Sequence, residues 1–289
     1  MKNYFLLAMF LMLSSGILQS QISDDNISTG HPKGTLIIIG GGSVGDVIIE
    51  EFIKSAGGSS AKIVIIPTAL PDEFLLQDSA LIKIERGFKD YGFENITILH
   101  TRDTIEANIE EFIEPLKTAT GIYFVGGRQW RIADGFLNTK AHKEMFKLLD
   151  RGGVIAGSSA GATIQGSYLA RGDTKNNQIM MGDHEDGLGF ITNVAIDQHV
   201  LARNRQFDMF DILKYRPELL GIGLDENTAI VVKGDIFEVI GKSKVLVYDK
   251  SFWSREGSDL KTLPGENSLF YFLQSGDKYN LRERKVITE

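Results

Sequence analysis

From about residue 35 the chain alternates between short unbroken apolar runs and longer stretches whose apolar positions recur every three or four residues. The runs at 35–39, 62–67, 95–100, 121–125 and 153–156 are rich in Val and Ile. Strands apolar at every position belong to parallel sheets buried on both faces. Helical spacing covers 44–55, 72–91 and 105–116, two more helical segments lie before 153, and the apolar stretch 162–169 also reads as helix. This alternation predicts an α/β fold, a parallel or mixed central sheet flanked by helices.

Past residue 193 the pattern changes to short strands at 194–197, 221–224, 229–233, 236–240 and 244–248, with a helix over 204–215 among them. Segments 268–273 and 279–286 read as further strands. No linker, repeat or low-complexity run separates the two parts. Residues 34–289 are therefore expected to form a single domain with a mixed-sheet extension.

The N-terminus has a different character. Lys2 precedes an apolar run over 5–13, followed by Ser14, Ser15 and Gly16, and Ser20 stands before Gln21. The run is too short to span a bilayer but suits a secretory signal over 1–20, leaving 21–33 as a polar leader. An exported protein is expected, periplasmic or secreted, and free of the membrane after cleavage.

Composition is that of an ordinary globular protein, 43% hydrophobic and 24% charged. A net charge of −7 disfavours nucleic acid and anionic membrane surfaces as partners. There is no cysteine, which excludes disulfides, thiolate metal sites, a cysteine nucleophile and a lipoprotein anchor. The five histidines, at 31, 100, 142, 184 and 199, lack the spacing of a zinc helix, so no metal is expected.

In open α/β sheets ligands bind beyond the carboxyl ends of the strands. Three glycine-rich turns fall there: Gly40-Gly41-Gly42, Gly126-Gly127, and the stretch Gly157-Ser158-Ser159-Ala160-Gly161. The triple glycine matches a dinucleotide fingerprint only loosely, and no acidic residue closes the second strand, so it reads as a tight turn. The third turn is Gly-x-Ser-x-Gly between a strand and an apolar segment, the pattern of a nucleophile elbow. The serine must sit on a bend too sharp for side chains two positions away, hence glycine on both flanks. The same bend aims the Ala160 N–H at the place where a carbonyl oxygen would become negative.

Serine at neutral pH needs a base. His199 is best placed, at the end of the strand that includes Asp197 and Gln198. His100 also ends a strand and is its rival; His31 lies in the leader, His142 on a charged helix and His184 in an acidic loop. A carboxylate should fix the imidazole tautomer. Asp173 is chosen for that place, with Asp183, Glu185 and Asp186 as nearby competitors. Arg203 and Arg205 follow the histidine and are suited to clamp a substrate carboxylate.

Four segments together resemble the cyanophycinases, of the serine peptidase family that also holds aspartyl dipeptidase E. They are Gly157 to Ala162, Phe124 to Gln129, Asp197-Gln198-His199, and Gly223-Leu224-Asp225-Glu226-Asn227-Thr228-Ala229. The resemblance runs from about Lys33 to the C-terminus. It implies a fold like the class I glutamine amidotransferases (flavodoxin-like) with serine in place of their cysteine. It further implies a cofactor-free exopeptidase, usually dimeric, that releases β-Asp-Arg units from cyanophycin, a polyaspartate with arginine on its side-chain carboxyls. Carried over by motif, Ser159 is the nucleophile, His199 the base, and Gly127 with Ala160 the oxyanion donors. Gln129, Asp197, Gln198, Arg203 and Arg205 would line the substrate pocket. This chain departs from the family at Arg128, where Asp or Asn is common, and at Asp208, where a basic residue is expected. The acidic member of the triad is a glutamate in the best-known members. An isoaspartyl or α-aspartyl peptidase, an α/β-hydrolase esterase and a non-catalytic peptide-binding module are the alternatives.

Overall fold

A computed structural model describes residues 27–255 and 269–288 of the chain. The expected signal over 1–20 lies outside the described residues. Five parallel strands form the heart of a nine-stranded sheet: β1 (Thr35–Ile39), β2 (Lys62–Ile66), β3 (Asn95–Ile98), β4 (Gly121–Phe124) and β5 (Val154–Ser158), in the order β3-β2-β4-β5-β1. Their apolar side chains point alternately to the two faces. Leu36, Ile38, Val64, Ile66 and Ile155 enter one buried cluster, and Ile37, Ile39, Ile63, Ile65 and Val154 the other. Helices α1 (Asp46–Ala56), α2 (Asp72–Leu75), α3 (Asp78–Asp90), α4 (Glu110–Thr118), α5 (Trp130–Phe136) and α6 (Lys140–Asp150) connect these strands.

The short strands after residue 193 do more than extend this sheet. Strands β9 (Thr228–Lys233), β10 (Ile236–Gly241), β13 (Lys278–Asn280) and β14 (Lys285–Ile287) continue it beyond β1, all antiparallel to their neighbours. Strands β6 (Gly166–Tyr168), β7 (Ile191–Gln198), β8 (Leu220–Leu224), β11 (Lys244–Tyr248) and β12 (Tyr271–Gln274) build a second, five-stranded sheet. The larger buried cluster draws on both sheets, with Leu36 and Ile155 from the first and Ile196, Ile222 and Val245 from the second.

Five expected elements differ, each for a local reason. The helix expected over 105–116 is a short 3-10 turn (Glu106–Asn108) and then α4, separated by Ile109, which is extended (ψ 135°). The helix expected over 72–91 breaks at Gln77, which is extended (ψ 125°), so α2 and α3 are separate. The helix after the elbow ends at Thr163 as α7 (Ala160–Thr163), and Gly166 opens β6 instead. A Cβ at Gly166 would lie 2.8 Å from the Val194 carbonyl, so the close approach of β7 requires the glycine. The helix expected over 204–215 is only α8 (Met209–Leu213), preceded by Asn204 with a left-handed φ of 54°. The last expected strand is a hairpin, turned by Arg284 at φ 49°. The end of the polar leader is also bound in: Thr29 bridges to Thr192, and Ser28 Oγ donates to the Asn193 carbonyl at 3.0 Å.

Candidate active site

Strands β4, β5 and β1 are neighbours, so their three glycine turns lie side by side, with the elbow in the middle. β9 runs antiparallel to β1, pairing Ala229 with Ile39. The β8–β9 connection therefore opens onto the same edge.

Ser159 sits at φ 56°, ψ −113°, between β5 and α7. A non-glycine residue there costs about 1–3 kcal/mol and persists only where its surroundings fix it. They do: the Ser159 N–H donates to the Ile39 carbonyl at 2.9 Å, and its carbonyl accepts from Ala162 and Thr163 at 2.9 and 3.1 Å. A Cβ on Gly157 would stand 2.1 Å from the Gly161 oxygen, and one on Gly161 2.2 Å from the Phe124 oxygen. Both flanks are sterically closed to any other residue, as the sequence pattern demanded.

His199 follows the last residue of β7 and turns left-handed (φ 55°), its N–H donating to the Gly40 carbonyl at 3.0 Å. That bond ties the second sheet to the first at the site. Its Nε2 lies 2.9 Å from Ser159 Oγ. Its Nδ1 lies 2.6 Å from Oε1 of Glu226, in the β8–β9 connection. With Nδ1–H donating to the carboxylate, Nε2 is left to accept the serine proton. Ser159, His199 and Glu226 form a continuous hydrogen-bonded chain.

The carboxylate expected at this place, Asp173, is elsewhere. Its Oδ1 accepts from the N–H groups of Lys175 and Asn176 at 2.9 and 2.8 Å, capping a turn of its own loop. Glu226 was missed although it stands in the segment Gly223 to Ala229 already singled out for its resemblance. The usable signal was a glutamate two residues past a strand end, the residue type named by the family.

The triple glycine has a definite task. A Cβ on Gly41 would fall 2.3 Å from Cε1 of the His199 ring, and one on Gly42 2.7 Å from Glu226 Oε2. The loop is bare so that imidazole and carboxylate can lie against its backbone. Asn227 clasps it, donating its N–H to the Gly41 carbonyl at 2.9 Å and accepting from the Gly45 N–H at 3.1 Å. On the opposite side Gly126 approaches Ser159, a Cβ there standing 3.8 Å from Oγ. The N–H groups of Gly127 and Ala160 have no acceptor among the described residues. The Gly126 N–H, on the residue that faces Ser159, likewise has no acceptor among the described residues.

Burial of the His199 ring holds its pKa below the ordinary histidine value, the hydrogen bond to Glu226 opposes this, and the Arg203 and Arg205 charges add to the lowering. The imidazole is thus neutral, and able to take a proton, at neutral pH. Both arginines lie in the turn after the histidine, the Arg203 N–H donating to the His199 carbonyl at 2.9 Å. Arg203 is exposed and Arg205 half-buried.

Three residues expected to line the pocket are buried behind it. Gln129, Asp197 and Gln198 are 0%, 1% and 2% exposed. Gln129 Nε2 donates to the carbonyls of Ala170 and Arg171, both at 2.8 Å. Asp197 takes a bidentate pair from the buried Arg171, at 2.7 and 2.9 Å, and Arg171 also donates to Asp208 at 2.6 Å. Asp208 thus holds a carboxylate against the Arg171 guanidinium at a position where a basic residue was expected. Two acidic partners keep Arg171 fully charged despite its burial. Arg205 Nη1 reaches the carbonyl and Oε1 of Gln198, both at 3.4 Å. Together these residues brace the wall that carries His199. Arg128 donates to the Asp173 carbonyl at 2.6 Å.

The rival His100 pairs with Thr68 Oγ1 at 2.9 Å, and His142 Nε2 with the Leu188 carbonyl at 2.8 Å. His184 lies between Asp134 and Asp183, and His31 beside Asp150. None of them meets the serine. Among the described residues no group of three or more His, Asp or Glu is arranged to hold a metal ion, and no helix is long and apolar enough to cross a membrane.

The profile of peptidase family S51 matches residues 36–240. The chain belongs to that family. Two relatives are cyanophycinases: that of Geminocystis herdmanii is 31% identical over 86% of this chain and 94% of its own, and that of Trichormus variabilis 30% identical over 88% of each. Among solved structures, a peptidase from an acI-B1 actinobacterium superposes with a TM-score of 0.62 at 25% identity, over 87% of this chain and 98% of the other. A putative peptidase E from Listeria monocytogenes shares the fold, with a TM-score of 0.53 at 17% identity over 73% of this chain and all of its own. This S51 peptidase is of the serine type.

Proposed function

We propose that the peptidase cleaves aspartyl peptides through an acyl-enzyme, with Ser159, His199 and Glu226 as its relay. Ser159 Oγ adds to the carbonyl carbon of the scissile amide while its proton passes to His199 Nε2. Glu226 holds the imidazole by Nδ1–H and steadies the imidazolium. The Gly127 and Ala160 N–H groups meet the oxyanion. Collapse breaks the C–N bond, and the imidazolium gives its proton to the departing amine. Water, deprotonated by the same imidazole, then hydrolyses the ester and restores the serine.

The observation that carries this reading is the pair of contacts on one imidazole, 2.9 Å to the serine and 2.6 Å to the glutamate. An aspartyl substrate is favoured by the cations next to the base, Arg203 and Arg205, which suit a carboxylate. The β-Asp-Arg units of cyanophycin are the first candidate, because two of the relatives at 30–31% identity carry the name cyanophycinase. Export rests on the signal-like residues 1–20, and a homodimer on the resemblance alone. The test is release of product from cyanophycin, β-Asp-Arg and α-Asp dipeptides, together with labelling by a serine-directed fluorophosphonate. Ser159→Ala should abolish labelling and slow hydrolysis by about 10⁵–10⁶-fold. An enzyme that neither cleaves these substrates nor takes the label refutes the reading.

A further inference from the structure

Past β4 the chain is pinned on both sides of Gly127. On one side Gln129 donates to the Ala170 and Arg171 carbonyls. On the other, the Arg128 N–H donates to the Ala69 carbonyl at 2.8 Å. Gly127 has a φ of 144°, and a Cβ there would fall 2.1 Å from that same Ala69 oxygen. A glycine has no side chain to restrain its backbone. The direction of the Gly127 N–H therefore depends on where the Ala69 carbonyl is held.

Two arginines from separate elements hold it. Arg131, in the first turn of α5, donates from Nη1 to the Ala69 carbonyl at 3.2 Å. Arg102, just beyond β3, donates from Nη2 to the next carbonyl, that of Leu70, at 2.6 Å. Arg102 also pairs with Asp72 at 2.6 Å. Burial lowers the Arg102 pKa, Asp72 opposes this, and the Arg131 charge adds to the lowering. With two successive carbonyls engaged, the turn after β2 cannot rotate without breaking a bond to an arginine. Arg151, before the start of β5 at the other end of the sheet, holds two carbonyls in the same manner, Leu116 and Ala119 at 2.6 and 2.9 Å, far from any catalytic group.

We propose that Arg102 and Arg131 are positioning residues for catalysis: by fixing the Ala69 and Leu70 carbonyls they set Gly127 in place and keep its N–H aimed at the oxyanion. Their hydrogen bonds go to the turn and to Asp72 rather than to Ser159, His199 or Glu226. The proposal rests on the serine-peptidase reading above and adds what keeps one of its donors in register. A donor to the oxyanion acts in the transition state more than on bound substrate. Its displacement lowers kcat and spares KM.

The experiment measures kcat, KM and the pH profile of the full chain on the best aspartyl dipeptide. In parallel it measures the second-order rate of fluorophosphonate labelling at Ser159, whose phosphoryl oxygen calls on the same donors. A shift of about 1 Å costs about 10²-fold; Arg131→Met should lower kcat and the labelling rate together on that scale, with KM and the acid limb unmoved. Arg131→Lys, which keeps a donor on the side chain, should recover much of the loss. Arg102→Met should repeat the pattern, and it carries the test if Arg131→Met does not fold. Arg151→Met is the control, expected to lose stability in urea to a similar degree and to keep its kcat. Variants at 102 and 131 that retain the parent's kcat, that change KM instead, or that slow no more than Arg151→Met overturn the proposal and leave the peptidase reading standing. Where no dipeptide is cleaved but Ser159 is labelled, the labelling rates decide in the same way. A parent enzyme that takes no label at all sinks the relay and this proposal with it.

Discussion

Replacing Glu226 by Gln, with Asp173→Asn as its companion, tests the relay most directly. Glu226 Oε1 is 2.6 Å from the imidazole nitrogen that must carry positive charge in the transition state. Hydrogen bonds to charged groups contribute about 1.5–3 kcal/mol. At about 1.36 kcal/mol per factor of ten, losing that share predicts a fall of about 10–150-fold in kcat/KM. A glutamine that offers its amide N–H to Nδ1 would also turn the ring to the wrong tautomer, an effect that reaches about 10⁴-fold where the triad carboxylate is buried. The Glu226 side chain is 40% exposed; water can reach the site, and the lower range is expected. Asp173 bonds only its own loop through Oδ1, so Asp173→Asn should leave the rate close to the parent's. The assay is kcat/KM on the best aspartyl dipeptide as a function of pH. Because the hydrogen bond to Glu226 raises the proton affinity of His199, its loss should move the acid limb to lower pH while the plateau falls. A Glu226→Gln enzyme as fast as the parent, or an Asp173→Asn enzyme equally slowed, would refute the assignment.

Three further outcomes are expected. Gly41→Ala places a Cβ 2.3 Å from the His199 ring at a backbone φ of +115°; it should destabilise by about 1–3 kcal/mol in urea and, by displacing the imidazole, cost about 10²-fold in kcat/KM. Since the Arg203 charge lowers the His199 pKa, Arg203→Gln should raise the acid limb of kcat/KM, and an unmoved limb would place that charge away from the base. Arg171→Met leaves Asp197, 1% exposed, without its counter-charge; denaturant unfolding should show a loss of about 3–5 kcal/mol, part of it regained in Arg171→Met/Asp197→Asn.

Much of the site was legible because its strongest constraints are local. The glycines at 157 and 161 are forced by atoms within the same turn and by the end of β4. His199 was found because it ends an apolar strand directly after Asp197 and Gln198. Where helix spacing misled, a single residue decided: Gly166 admits β7, Asn204 turns left-handed, and Gln77 is extended. The carboxylate was misplaced because proximity to the serine helix favoured Asp173, whereas Glu226 reaches the ring from a connection between two sheets.

Residue order was enough to read a doubly covered parallel sheet, a serine on a glycine-flanked bend and a histidine at the end of an apolar strand. These follow from side-chain periodicity and from clashes within a few residues. Tertiary structure alone decided which acid holds the imidazole, because that depends on β9 running antiparallel to β1 and delivering Glu226 to Gly42. It also decided that Gln129, Asp197 and Gln198 stand behind the pocket, since their burial is a property of how the second sheet packs and of no short stretch of chain. Strand register and side-chain period act over neighbours; the meeting of two sheet edges is fixed only when the whole core has closed.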